Sequence, residues 1–175
     1  MEYFELIQKR YSVRAYLPEM IEEEKILKIL EAARLAPTAS NRQPVRLIIT
    51  KTAGRQEELK TVYPRDWFWS APLVVCACGV PGEAWVRQDS RSYLAVDVAI
   101  VMDHFILAAA NLGLGTCWIA AFNELAVRQF FALPADVEPI ILTPLGYPAD
   151  TKTKKIRKPI EELVYYERWG GTKPK

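Results

Sequence analysis

Apolar residues fill almost every turn of the stretch from Tyr93 to Leu112, which contains neither proline nor glycine. Such a pattern predicts a helix buried on most of its sides, either within one subunit or partly against a second one. A membrane span is the rival interpretation. The stretch contains Asp97, Asp103 and His104, however, and one aspartate near a bilayer centre costs about 2.5–3.5 kcal/mol. We therefore predict a core helix that Gly113 closes in the left-handed conformation.

The remaining hydrophobic pattern predicts shorter elements that alternate irregularly along the chain. Further helices are predicted at residues 2–10, 22–35, 53–61 and 123–133. Strands are predicted at residues 45–51, 71–79, 116–122 and 137–145, and loops at 11–18 and 38–44. Pro144 indicates an edge strand or an end of strand pairing. The aromatic residues around Trp67 and Trp85 fit neither a helix nor a strand pattern.

No repeat, linker or low-complexity tract divides the 175 residues. The chain therefore predicts a single domain, residues 1–175, whose last residues, 170–175, fray. Irregular alternation of helices and strands by itself favours an α/β-type mixed sheet packed by helices.

Composition narrows the function classes. Half of the residues are hydrophobic, a quarter are charged, and the formal net charge is +2. That balance is typical of a globular protein and indicates neither nucleic acid nor a membrane as a partner. The N-terminus has no apolar core of a secretion signal. Cys76, Cys78 and Cys117 form no CxxC motif, so we expect buried free thiols and a reducing, cytoplasmic setting.

Several common catalytic devices are missing from the sequence. It contains no GxxxxGK[ST] loop, and Gly113-Leu114-Gly115 follows a helix instead of a strand, which disfavours a dinucleotide fold. The single histidine, His104, lies within the apolar helix, so neither a histidine-dependent triad nor a metal site is expected. Chemistry would have to come from a bound cofactor.

Three clusters distant in sequence could hold an anionic, planar cofactor. The first alternates along an extended segment, so its two cations and one hydroxyl share a face that suits a phosphate or a polar ring edge. The second is a tight polar loop, and the third is a late basic run. The clusters are Arg10, Ser12 and Arg14; Ser40, Asn41 and Gln43; and Lys152, Lys154, Lys155, Arg157 and Lys158. Each alone is more often a solvated surface, and the basic run could bind nucleic acid weakly, although it lacks interleaved aromatics.

The chain contains four blocks that resemble the FMN-dependent nitroreductase family: RYSVRAY, APTASNRQPVRLIIT, NLGLGTCWIAAF, and LGYPAD with the later KKIRKPIEELV. They occur in the family's order and cover the chain nearly end to end. The resemblance implies an α+β, nitroreductase-like fold with a central, mostly antiparallel mixed sheet flanked by helices. It also implies an intertwined homodimer with FMN at the subunit interface. The long helix would supply much of that interface, and the C-terminal segment would reach over the partner.

The resemblance further implies which residues bind the cofactor, and none of them is a catalytic side chain. Arg10 would bind the FMN phosphate, with Lys155 and Arg157 completing the clamp. Ser12 and Arg14 would contact the pyrimidine edge of the flavin and the ribityl chain, and Tyr11 would belong to the same site. The other subunit would contribute Thr38, Ala39, Ser40, Asn41 and Gln43. The stretch Trp118, Ile119, Ala120 and Ala121 would run along the isoalloxazine ring, with the backbone N–H of Ala120 directed at flavin N5.

The activity implied is a ping-pong cycle in which NADH or NADPH reduces FMN and a nitroaromatic, quinone or related conjugated acceptor is reduced next. Two alternatives stay open: a specialised branch of the family (dehalogenation, flavin fragmentation or heterocycle oxidation), and a non-catalytic FMN-binding sensor or store. The chain departs from the family pattern at residues 63–66, which lack an asparagine, and at Val45, where an aromatic is usual. It also lacks the long helical insertion of larger members.

Overall fold

The computed structural model describes residues 1–151 and 155–174. Its helices are α1 (Tyr3–Lys9), α2 (Glu23–Arg34), α3 (Gln56–Val62), α4 (Asp66–Ser70), α5 (Leu94–Asn111) and α6 (Glu124–Phe130). Its strands are β1 (Val45–Lys51), β2 (Leu73–Gly79), β3 (Gly115–Thr116) and β4 (Glu138–Gly146). Short 3₁₀ turns lie at Ala39–Asn41, Pro81–Glu83 and Ile160–Glu162.

The four strands form one sheet in the order β1-β2-β4-β3, and every pair of neighbours is antiparallel. The β1–β2 register places Val45 opposite Gly79 and Lys51 opposite Leu73. One isolated parallel bridge, between Ser12 and Thr116, adds the N-terminal segment to the sheet edge. The α+β class is thus confirmed. The α/β-type sheet expected from chain order alone is wrong, because the helices between strands do not connect parallel neighbours.

Both faces of the sheet are covered by helices, so β2 is buried along its whole length. Alternate side chains of a strand point to opposite faces. Val75 and Ala77 accordingly belong to the core under α2 and α5, whereas Val74, Cys76 and Cys78 belong to the core under α3, α4 and α6. This two-sided burial explains why β2 is a continuous apolar run without a polar alternation.

Helix α5 is the central helix of the core that lies under α2 and α5. Among the described residues it is the one helix long and apolar enough to cross a membrane, with a mean hydropathy of 1.6. Its inward residues Val98, Met102, Phe105 and Ala109 are completely buried among α2 and the sheet, which confirms the prediction of a core helix. Gly113 ends it with a φ of 79° and the paired hydrogen bonds of a Schellman motif.

The strand predicted at residues 116–122 is much shorter in the structure, and Pro144 supplies a reason. Leu142 and Ile119 exchange both backbone hydrogen bonds at 2.9 Å. Pro144, two residues along β4, faces the same neighbour but has no N–H to donate. Strand β4 is not an edge strand, since it lies between β2 and β3, and Pro144 instead marks the end of the β3 pairing.

Helix α4, with the sequence DWFWS, was missed by the hydrophobic pattern. Five residues are too few to display a helical period. Phe68 is completely buried beneath it, and Tyr63 contacts the rings of both Trp67 and Phe68 edge to face. These aromatic residues therefore close the core under α3, α4 and α6.

Gly115 allows the N-terminal segment to approach β3. A Cβ atom at this position would lie 2.6 Å from Cγ2 of Val13, and Val13 is itself buried. We expect Gly115→Ala to lower the free energy of unfolding by about 1–3 kcal/mol through overpacking, as measured by denaturant titration. Gly82→Ala is the matched control, because nothing lies within 4 Å of its Cβ position. Equal stability of the two variants would contradict this account of the contact.

Candidate cofactor site

A cavity of about 190 Å³ joins residues from the two ends of the chain. We call it the cationic cavity, and its lining residues are Arg10, Tyr11, Ser12, Arg14, Lys155, Ile156 and Arg157. The structure therefore brings the first sequence cluster together with part of the basic run. Lys152 and Lys154, which also belong to that run, lie outside the described residues.

The N-terminal wall of the cationic cavity is fixed by β3 and by a buried anchor. The N–H of Val13 donates to the carbonyl of Thr116 at 3.0 Å, and the buried hydroxyl of Tyr16 donates to the carbonyl of Val13 at 2.9 Å. Val13 is 2% exposed, so it points into the protein. Because side chains alternate along an extended segment, Ser12 and Arg14 on either side of it point outward into the cavity.

The C-terminal wall is attached to the end of α1. Nζ of Lys155 donates to the carbonyl of Ile7 at 2.7 Å, and a lysine is favourable at the carbonyl end of a helix. Nη1 of Arg157 donates to the carbonyl of Ile156 at 2.8 Å. The remaining N–H groups of that guanidinium are the ones that a ligand in the cavity could engage.

The arginine side chains of the cavity form no ion pair in the described part of the chain: no carboxylate lies within 4.0 Å of the guanidinium groups of Arg10, Arg14 or Arg157. The guanidinium carbon of Arg14 instead lies 6.0 Å from the ring centre of Trp67. Arginine is always protonated, so three positive charges surround a small polar space at any working pH. Guanidinium groups, a lysine and a serine hydroxyl form a donor set that fits a phosphate group.

Tyr11 closes one side of the cavity through Asp150. The Tyr11 hydroxyl lies 2.8 Å from the carbonyl oxygen and 3.0 Å from Oδ1 of Asp150, and donates to this pair. Burial, followed by the hydrogen bond to Asp150, raises the pKa of Tyr11 to about 12. The hydroxyl therefore remains a protonated donor at neutral pH.

The loop around residues 38–43 carries strain outside the cationic cavity. Ser40, Asn41 and Gln43 have φ angles of 51°, 53° and 53°, a region that non-glycine residues rarely occupy. The backbone N–H of Gln43 donates to Oγ1 of Thr38 at 3.0 Å, which holds the turn closed. Strain of this kind persists only where the surroundings enforce it, and it is concentrated at functional sites.

Asp97 on α5 anchors the start of this loop. Its Oδ1 accepts the backbone N–H of Ala39 at 2.8 Å, and the residue is 1% exposed. Its Oδ2 has no hydrogen-bond partner among the described residues. A buried carboxylate is expensive, so its presence in the core side of α5 is explained by the loop that it holds.

The structure does not bring every proposed contact into one cavity. Thr38 and Gln43 line a separate space of about 270 Å³ between α2, β1 and α5. Trp118, 41% exposed, and Ala120 and Ala121 face outward, whereas Ile119 is buried against β4. This stretch follows directly from Thr116, which pairs with Ser12.

Sequence reasoning missed Asp97 and Asp150 as organisers of the site. In the sequence, Asp97 is one charged residue within an apolar helix, and Asp150 is the last residue of the LGYPAD block. Neither residue has a sequence signal for its partner, because Ala39 and Tyr11 lie far away along the chain.

We expect Asp97→Ala to lower the free energy of unfolding by about 1–3 kcal/mol, because the Ala39 N–H loses its acceptor. Asp97→Asn keeps an amide oxygen there and should lose less. Asp136→Ala, at an exposed position in the loop before β4, is the control and should stay within about 0.5 kcal/mol of the parent. Thermal or denaturant unfolding measures all three. An Asp97→Ala variant as stable as Asp136→Ala would refute the assignment.

The chain is similar to known proteins over most of its length. The sequence model described as the nitroreductase family matches residues 7–63 and 50–147. A nitroreductase family protein from Clostridium difficile 630 has a solved structure with a TM-score of 0.88 and 37% identity, covering 96% of this chain and 99% of that one. An archaeal relative from Methanothermobacter thermautotrophicus, provisionally named NADH dehydrogenase/NAD(P)H nitroreductase, is 30% identical over 97% of this chain and 88% of its own length. The FMN reductase [NAD(P)H] of Bacillus subtilis is 29% identical over 90% of this chain and 70% of its own length. The chain belongs to the nitroreductase family.

Proposed function

We propose that this protein is an FMN-dependent NAD(P)H oxidoreductase that reduces nitroaromatic, quinone or related conjugated acceptors in the cytoplasm. The observation that carries the proposal is the cationic cavity, where Arg10, Arg14 and Arg157 converge without a carboxylate partner in the described part of the chain. Family membership and the NAD(P)H-dependent activity in the names of relatives support the same reading. The three free cysteines are compatible with a reducing compartment.

Within this proposal, the two walls of the cavity hold the phosphate end of FMN. Arg10, Lys155 and Arg157 supply positive charge, and Ser12 supplies a hydroxyl donor. Arg14 lies at the C-terminal end of residues 10–14. There it would face the edge of the flavin ring and stabilise the negative charge that develops on it. None of these residues has to transfer a proton.

When bound, FMN supplies the redox chemistry, since it takes two electrons from a reduced nicotinamide and passes them to the acceptor. The protein supplies binding, orientation and a fixed positive field. The stretch of Trp118, Ile119, Ala120 and Ala121 would border the ring, and Ile119 anchors it to β4 through two backbone hydrogen bonds.

We propose that the working unit is a homodimer, because large apolar surfaces lack cover in the single chain. Along α5, Ala95, Val96, Ala99 and Ile100 line an open, mostly apolar depression. In the C-terminal segment, residues 156–170 are all exposed, including Trp169 at 90%. Contiguous apolar surface of this kind indicates an interaction site. A second copy would cover both surfaces and would bring its loop of residues 38–43 to the cofactor.

The function is tested by following the visible absorbance of the protein after titration with FMN. Without oxygen, NADH or NADPH should bleach the bound flavin, and a quinone or nitroaromatic should restore the colour. A protein that does not bind FMN would contradict the proposal. Bound FMN that neither nicotinamide reduces would favour a sensor or store instead.

In the same titration, we expect Arg157→Ala to weaken FMN binding by about 1.5–3 kcal/mol, because a charge-assisted contact to phosphate is lost. Arg91→Ala removes the same charge from an exposed loop outside the cavity and should leave the affinity unchanged. Equal affinities of the two variants would rule out Arg157 as a phosphate ligand.

We expect Val96→Glu to shift the protein from dimer to monomer, because it places a charge in the apolar face of α5. Val96 is 45% exposed in the single chain. Leu125→Glu makes the same kind of change at an exposed position of α6 and should remain dimeric. Sedimentation velocity at several protein concentrations distinguishes the two. A Val96→Glu variant that stays dimeric would place the interface elsewhere.

A further inference from the structure

Asp150 connects the two walls of the cationic cavity. Its Oδ2 accepts the backbone N–H of Arg14 at 2.8 Å, and its Oδ1 lies 3.0 Å from the Tyr11 hydroxyl. The carbonyl of the same residue lies 2.8 Å from that hydroxyl. Asp150 is therefore hydrogen-bonded to both ends of the segment Tyr11–Arg14. From Asp150 the chain continues towards Lys155 and Arg157.

The segment that Asp150 grips has little structure of its own. Residues 10–14 belong to no helix or regular strand. The bridge between Ser12 and Thr116 and the hydrogen bond from the Tyr16 hydroxyl to the Val13 carbonyl hold the middle of the segment, whereas Asp150 holds its two ends. A binding site on such a segment is precise only when second contacts fix its backbone. Asp150 provides these contacts through its charged acceptor oxygens, and hydrogen bonds to a charged group are stronger than those between neutral groups.

Charge alone would argue against a carboxylate at this position. Asp150 lies at the edge of a cavity whose other charged groups are cations. A negative charge there lowers the positive potential and repels a phosphate. Yet Asp150 makes no ion pair with Arg10, Arg14 or Arg157 within 4.0 Å in the described residues. Its contacts are to a backbone N–H and a tyrosine hydroxyl, so its geometry is that of a hydrogen-bond anchor.

We propose that Asp150 is a positioning residue, which fixes the backbone of residues 11–14 so that Arg10, Ser12 and Arg14 present their donors to the phosphate of FMN. This inference rests on the proposed function and adds to it a residue that does not itself touch the cofactor. The inference predicts that loss of the Asp150 side chain weakens binding of the phosphate more than binding of the flavin ring.

The two roles of Asp150 predict opposite signs, which makes the test sharp. If Asp150 acted only through its charge, Asp150→Ala would strengthen FMN binding, because a repelling group is removed. If it positions the segment, Asp150→Ala weakens FMN binding. We expect a loss of about tenfold or more in FMN affinity. The affinity for riboflavin, which has the same ring but no phosphate, should change by less than about threefold.

The experiment titrates the purified protein with FMN and with riboflavin and follows flavin fluorescence. Tyr11→Phe removes the hydroxyl but keeps the carboxylate, so it should lower FMN affinity in the same direction by a smaller factor. It also keeps the test decisive if Asp150→Ala folds poorly. Asp136→Ala is the control for charge, because Asp136 is an exposed aspartate in the loop before β4. That control should bind both ligands like the parent.

Several outcomes would overturn the inference. Asp150→Ala and Tyr11→Phe that bind FMN as tightly as the parent, or more tightly, would show that Asp150 acts through charge or not at all. Equal losses for FMN and riboflavin would indicate a general structural role instead of positioning for the phosphate. A parent protein that binds neither ligand would remove the proposed function together with this inference, whereas an FMN-binding parent with unaffected variants removes the inference alone.

Discussion

The convergence of arginine side chains from both ends of the chain is the constraint on which the rest of the structure depends. Arg10 and Arg14 come from the segment beside β3, and Arg157 comes from the stretch after β4. Guanidinium groups repel one another and cannot lose their protons. An anion bound in this small polar cavity would offset that repulsion, and a mononucleotide phosphate is an anion of suitable size and geometry.

Two carboxylates hold irregular segments of the chain, and neither forms an ion pair with the arginines of the cationic cavity within the described residues. Asp97 accepts the backbone N–H of Ala39, and Asp150 accepts the backbone N–H of Arg14. In both cases the acidic side chain replaces the regular hydrogen bonds that a helix or strand would have supplied to an irregular segment. The strain at Ser40 and Asn41 is compatible with this arrangement, because a charged acceptor can hold a backbone conformation that the loop would not adopt alone.

The single chain exposes apolar surface, and the residues proposed to bind the cofactor lie in more than one cavity. One face of α5 and most of the C-terminal segment present apolar side chains without cover, and the loop of residues 38–43 borders a different cavity from the cationic one. In the proposed homodimer, a second copy would cover the exposed apolar face of α5 and would bring its loop of residues 38–43 to the cofactor. The proposed dimer and the proposed cofactor site therefore depend on each other.

By itself the sequence determined the composition of the cores and the types of residue at the site. The apolar run of α5 and the uninterrupted β2 follow from burial on most sides, and the alternation of Arg10, Ser12 and Arg14 indicated a shared face. Only the tertiary structure decided that these residues meet Lys155 and Arg157 and that α4 forms from five residues. It also decided that β3 ends at Thr116, where Pro144 of β4 ends the pairing of the two strands. It also assigned Asp97 and Asp150 their partners. Periodicity reports the environment of each residue along its own element, whereas a contact between distant segments depends on how the whole chain packs and leaves no local pattern.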